Sequence, residues 1–177
     1  VFYGIYAWLV VMLALAGHKN AGLEAAQIVA LETEIAKAQW SAVENRDPVK
    51  AYNKLTIAQV KALAPDFDWN AYLKGTGVAG KVDSLIVSQP SYLAGLNAII
   101  KSTPLEVWKP YFEFRLVSAY APYLSQAFVD ESFAFRGKVL SGAQVNRPLQ
   151  KRAIAEVNRA LGEVVGKAYV KQYFPAE

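Results

Sequence analysis

The sequence predicts a mostly α fold built from amphipathic helices, with one long helix bent near Pro122 and minimal β structure. Three observations predict it. Apolar residues recur at three- and four-residue steps through LEAAQIVALETEIAKAQW and again through RAIAEVNRALGEVVGKAYVKQYF. Helix-start signals stand at Thr56 with Gln59 and at Thr103-Pro104 with Glu106. Only VDSLIVSQ reads as a strand, and Val82, Leu85 and Val87 are too irregular for more than a short edge. The 177 residues fit a single helical unit, 1–177. With 54% hydrophobic and 19% charged residues, the chain is more apolar than a usual soluble domain, so part of that surface is expected to meet another polypeptide.

The opening, VFYGIYAWLVVMLALAG, carries no charged side chain from Val1 to Gly17. A membrane-spanning helix needs about 20 apolar residues, and a secretion signal needs positive charge ahead of its apolar run. The run is short for the first and lacks the charge of the second, so it reads as a buried helix, and membrane attachment is disfavoured. In the second helix Ile28, Leu31, Ile35 and Ala38 form one stripe, while Glu24, Glu32, Glu34 and Lys37 fall mostly elsewhere. SAVENRDPVKAYNKLT breaks the helical pattern, because the residue before Pro48 is disfavoured in the α region and Asn45, Asp47 and Asn53 suit turns.

TIAQVKAL starts a helix capped by Thr56, with Gln59 in capping-box position and Pro65 beyond its end. A short helix follows in DFDWNAYLKGTG, capped by Asp68 and stopped by Gly75 and Gly77. KSTPLEVWKPYFEFRLVSAYAPYLSQAF reads as the long helix, with Thr103 as N-cap, Pro104 at the first position and Glu106 completing the box. Pro122, deep inside, removes a backbone hydrogen bond and predicts the bend. Gly142 breaks the chain before the last helix, whose stripe is Ile154, Val157, Leu161, Val164, Val165 and Ala168 and whose end is Pro175. Gly162 and Gly166 on that helix permit close approach of another backbone.

No catalytic, cofactor-binding or metal-binding residue is assigned. The chain has no cysteine and one histidine, His18, whereas zinc sites need several imidazoles or thiolates. H-E-x-x-H, a glycine-rich phosphate loop, G-x-S-x-G and a calcium loop are all absent. The carboxylate pairs Glu32 with Glu34, Asp66 with Asp68, and Asp130 with Glu131 read as solvated faces and N-caps. His18 reads as a residue at the carboxyl end of the first helix, favourably placed near its dipole, in preference to a lone metal ligand. Trp40, Trp69, Trp108, Tyr111, Phe112 and Phe114 read as core packing with a polar handle. The net charge of 19 − 15 = +4 is scattered, and Arg147, Lys151, Arg152 and Arg159 suit a solvated face paired with Glu156 and Glu163, which gives no nucleic-acid footprint.

Seven phrases in order nevertheless resemble the amino-terminal region of neprilysin-like zinc metallopeptidases: LALAGHKN, ALETEIAKAQW, ENRDPVKAYNKLT, DFDWNAYL, SQPSYLAGLNAII, FAFRGKVLSG and KRAIAEVNRALGEVVGKAYVKQYF. The resemblance spans about Leu13 to Phe174, and RDPVKAYNK and VNRALGEVVGKAYV are its most specific pieces. It implies a helical amino-terminal domain, or a fragment of one, that faces a catalytic domain. The two would enclose a cavity that admits peptides of limited size. Zinc, its ligands and the catalytic acid would belong to polypeptide outside this chain, so the resemblance carries no catalytic residue across. NAYL at Asn70 to Leu73 is similar to the family's substrate-backbone motif but lies in the wrong place, and a structural role is assigned to it. Three departures stand out: Gln150 where a tryptophan is usual, Ala153 where animal members have a cysteine, and VFYGIYAWLVVM where relatives carry a polar-faced helix. The missing cysteines suit a bacterial, periplasmic or secreted enzyme. The implied function is therefore the non-catalytic, cavity-forming part of a zinc endopeptidase acting on small peptides. The competing reading is a stand-alone helical interaction module, membrane-attached through residues 1–17.

Overall fold

The structure is a computed structural model that describes residues 2–174, with side chains from Gly4 onward; the predicted stop at Pro175 lies outside them. In order the chain forms α1 (Phe2–Leu15), α2 (Ala21–Ala38), β1 (Lys54–Thr56), α3 (Ile57–Leu63), α4 (Trp69–Gly75), β2 (Ser84–Ile86) and α5 (Pro90–Ser102). There follow α6 (Leu105–Tyr120), α7 (Gln126–Ser132), a π-helical segment (Phe133–Leu140), α8 (Leu149–Ala160) and α9 (Gly162–Tyr173). The fold is mostly α, as predicted. The described residues divide into two compact units, the first reaching Glu131 and the second starting at Ser132.

In the first unit α1 packs on α2 and α6, and α2 on α5 and α6. Trp8, Leu9, Met12 and Leu13 of α1 are buried while Ile5, Val11 and Leu15 are exposed, so the charge-free opening, expected to be buried, packs into the core through only part of its surface. Each such buried side chain stabilises the fold by about 1.5–3 kcal/mol. Trp8 meets Phe114 of α6 edge-on, with ring centroids 5.1 Å apart. None of the helices is long and apolar enough to cross a membrane, among the described residues.

Gly17 stops α1 at φ 96°. The Gly17 N–H donates to Ala14 O at 3.0 Å and the His18 N–H to Leu13 O at 3.0 Å, the paired bonds of a Schellman end that only glycine enters without strain. The predicted stripe of α2 is buried at Ile28, Leu31 and Ile35, and Ala38 is half-buried. At Ala38 the helix meets Gly95 of α5, where an added Cβ would come within 3.0 Å of the Ala38 Cβ. The capping box of α3 is complete: Thr56 accepts from the Gln59 N–H and Gln59 accepts from the Thr56 N–H. Asp68 caps α4 by accepting from the Ala71 N–H at 2.9 Å.

Several expectations need correction. β1 was absent from the predicted elements; it pairs antiparallel with β2 in the register Lys54↔Ile86, Leu55↔Leu85 and Thr56↔Ser84. α5 likewise had no predicted counterpart. Thr103 is not the N-cap of α6, which begins at Leu105 with Pro104 as its flanking residue and no side-chain cap; it closes α5 instead, its N–H donating to Ile99 O at 2.9 Å. The change of direction at Pro122 is a break, since α6 ends at Tyr120 and a 3-10 turn, Ala121–Tyr123, precedes α7. The last helix is two helices, parted at Leu161, whose ψ of 30° departs from the helical value.

In the second unit the π-helical segment holds Gly137 against the ring of Phe133, where any Cβ would collide with it. Gly142, at φ 68°, ends that segment as predicted.

Candidate functional site

Side chains capable of acid–base or metal chemistry are drawn into structural contacts. The His18 ring lies between two carboxylates, with Nδ1 2.6 Å from Glu24 Oε2 and Nε2 3.1 Å from Glu113 Oε2. It therefore ties the end of α1 to α2 and α6, a role its sequence position did not reveal. Because the carboxylates sit on opposite edges of the imidazole, the three groups cannot converge on one ion. No group of three His, Cys, Asp or Glu that could hold a metal exists among the described residues. The residues present therefore do not fit a zinc ion.

The members of the three carboxylate pairs have different surroundings, and Glu131, expected on a solvated face, is half-buried. Glu34 accepts from Lys37 at 2.7 Å, while Glu32 lies 3.5 Å from Arg115. Burial raises the Tyr111 pKa, and the nearby Glu32 charge adds to it. The Asp66 carboxylate accepts from Asn97 at 2.9 Å and Asp130 from Gln126 at 2.6 Å. Burial pushes the Glu131 carboxyl above its ordinary range. Lys50 and Ser41 hold the exposed Glu44 carboxyl down to about 2 through hydrogen bonds. Asn70 accepts from Lys61 at 2.8 Å within the first unit, in keeping with a structural role. Arg159 pairs with Glu156 one turn away.

The polar handles of two tryptophans are used. Trp40 Nε1 donates to Ser91 Oγ at 2.6 Å and Trp69 Nε1 donates to Ala64 O at 2.9 Å. The expectation of core packing fails for Phe112, which stacks on Trp108 at 5.6 Å yet is 61% exposed. One side of α6 buries Pro110, Phe114 and Ser118, while Leu105, Phe112 and Leu116 lie on the other. The stripe of α8 and α9 is also bare, with Ile154 54%, Val157 49% and Leu161 53% exposed. Nothing approaches a Cβ built on Gly162 or Gly166.

The two-stranded ribbon has one further property. The Ile57 N–H donates to Asp83 O at 3.1 Å and the Val87 N–H to Asn53 O at 2.9 Å. With Leu55 opposite Leu85, the hydrogen-bonded pairs are Asn53 with Val87, Leu55 with Leu85, and Ile57 with Asp83. Main-chain groups of Ser84 and Ile86 therefore point away from β1, toward an open edge. On the other edge, Gln59 Oε1 occupies the Thr56 N–H at 2.8 Å. Beside β2 lies an apolar cavity of about 270 Å³ lined by Leu85, Ile86, Phe67, Trp69, Leu93 and Leu96 among others.

Comparison with known proteins places this arrangement. The amino-terminal model described as Peptidase family M13 matches residues 4–177. Among curated relatives, the neutral endopeptidase of Lactobacillus helveticus is 28% identical over 91% of this chain and 25% of its own length. An endothelin-converting enzyme homolog of Locusta migratoria is 26% identical over 88% of this chain and 23% of its own. The chain thus spans about a quarter of the curated relatives it matches. Among solved structures, the open state of the Mycobacterium tuberculosis zinc metalloprotease Zmp1 superposes with a TM-score of 0.92 at 35% identity, covering 98% of this chain and 28% of that one. The same enzyme in complex with an inhibitor gives 0.93, covering 97% and 27%. Matched by the family model along nearly its whole length and sharing its backbone with a solved zinc metalloprotease, the chain belongs to peptidase family M13, in its amino-terminal, neprilysin-like part.

Proposed function

We propose that this chain is the non-catalytic, cavity-forming part of a zinc metalloendopeptidase that cleaves small peptides, and that both compact units belong to one amino-terminal domain. One observation carries the reading: the backbone follows that of a zinc metalloprotease over 98% of this chain but only 28% of the other protein. The described residues hold no metal cluster, and zinc and the groups that use it are assigned to polypeptide outside this chain. What this chain contributes is a wall. Rigid packed helices restrict which peptides enter and keep bulk water from the reaction. The bare apolar faces of α6, α8 and α9 supply surface for a catalytic domain to cover. We also place the enzyme outside the cytoplasm, secreted or periplasmic, as a bacterial enzyme without disulfides.

The test uses the full-length gene product. Hydrolysis of short peptides should require zinc, disappear on chelation and return on metal replacement. This chain alone should neither hydrolyse them nor retain zinc. Hydrolysis that persists in a metal-free preparation would refute this reading, and a native product of this chain alone that performs a binding function would favour the stand-alone module.

A further inference from the structure

We propose that the open edge of β2 docks an extended peptide, which adds a third strand beside Ser84–Ile86 and seats one bulky apolar side chain in the adjoining cavity. The inference rests on the peptidase reading only in taking the guest to be a peptide ligand of the enzyme.

Two independent features meet here. The first is the ladder register, which turns the N–H and C=O groups of Ser84 and Ile86 outward. An extended chain is the partner that satisfies such a row, and strand addition draws affinity from main-chain bonds and specificity from neighbouring pockets. The opposite edge competes poorly, because the Thr56 N–H is already bonded to Gln59. The second feature is the cavity. Leu55 and Leu85 are half-buried and share one face of the ribbon, while on the other Lys54, Thr56 and Ile86 are exposed and Ser84 is half-buried. A guest residue opposite Leu85 would point its side chain to the Leu85 face, where α3 and α5 wall the cavity. At about 270 Å³ the space falls below the roughly 300–1,000 Å³ of small-molecule sites and suits a single leucine- or phenylalanine-sized group. The guest is thus a strand with one large apolar residue, flanked by residues that remain in solvent.

The experiment uses the full-length protein, its hydrolysis arrested by a chelator, and a capped pentapeptide of threonine and serine with central phenylalanine. Hydrogen exchange should show the amides of Ser84 and Ile86 unprotected without peptide and slowed with it. Ile86→Pro removes one outward N–H without touching a ladder bond, and should weaken binding about three- to tenfold, the worth of one hydrogen bond. Replacing the central phenylalanine by serine, or filling the cavity with Leu96→Trp, should weaken it at least as much. Native exchange across α2 certifies that Ile86→Pro is folded; if it is not, Leu96→Trp decides. Protection of Ser84 and Ile86 in the peptide-free protein, meaning that its own chain covers the edge, would overturn the proposal. So would binding indifferent to the central side chain or to the deciding variant. Lack of peptide hydrolysis in the untreated enzyme would sink the peptidase reading and leave these binding measurements intact.

Discussion

Gly137 leaves no room for a side chain in the second unit. Its place in the π-helical segment is set by the ring of Phe133, which occupies the volume of any Cβ. Alanine normally improves a helix by about 0.5–1 kcal/mol over glycine, but displacing a packed ring costs about 1–3 kcal/mol. Gly137→Ala should therefore lower the denaturation midpoint, and combining it with Phe133→Leu should recover most of the loss; additive effects in the double variant would show that the ring is not the obstacle. Residue-level legibility was uneven for reasons of range. Gly142 was readable as a stop because a left-handed turn is a property of one residue and its neighbours. The contact of His18 with Glu24 and Glu113 was not, since Glu113 reaches it from a helix almost a hundred residues later. Phe112 misled because an aromatic ring signals burial, without saying whether the covering surface is in this chain.

Elements marked by local chemistry were readable, and those made by tertiary contact were not. The cap of α3 stands four residues wide, and Thr56 and Gln59 satisfy one another without outside help. Thr56→Ala should cost about 0.5–2 kcal/mol, whereas Thr103→Ala, at a position whose side chain makes no capping bond, should stay within about 0.5 kcal/mol. Paired thermal or chemical melts of the two variants check this, and equal losses would restore Thr103 as a cap. α5 escaped notice because Gly95 and paired isoleucines weaken its intrinsic helical signal, while its close approach to Ala38 is visible only in three dimensions. β1 is three residues long and exists through β2. The break at Leu161 falls before Gly162, where low helix propensity lets one periodic stripe run over two helices.

At the scale of the whole molecule, each unit carries apolar side chains left bare, Phe112 and Leu116 on α6 in the first and Ile154 and Val157 on α8 in the second. The composition foretold such bare surface, and ordered phrases foretold the family, but neither identified a docking edge on the ribbon, which depends on register. If the catalytic part covers α8, then Val157→Asp in the full-length enzyme places a charge in an apolar contact. It should cost at least about 2 kcal/mol, against about 0.5 kcal/mol or less for a solvated site. Calorimetry of the full-length variant distinguishes the two values, and the smaller one would leave that face in solvent. The capping bond between Thr56 and Gln59 has one more effect. It blunts a flank of the ribbon that Lys54 already charges, so two molecules meeting flank to flank would exhaust their free rims at a pair, and runaway growth into fibrils has no second rim from which to continue.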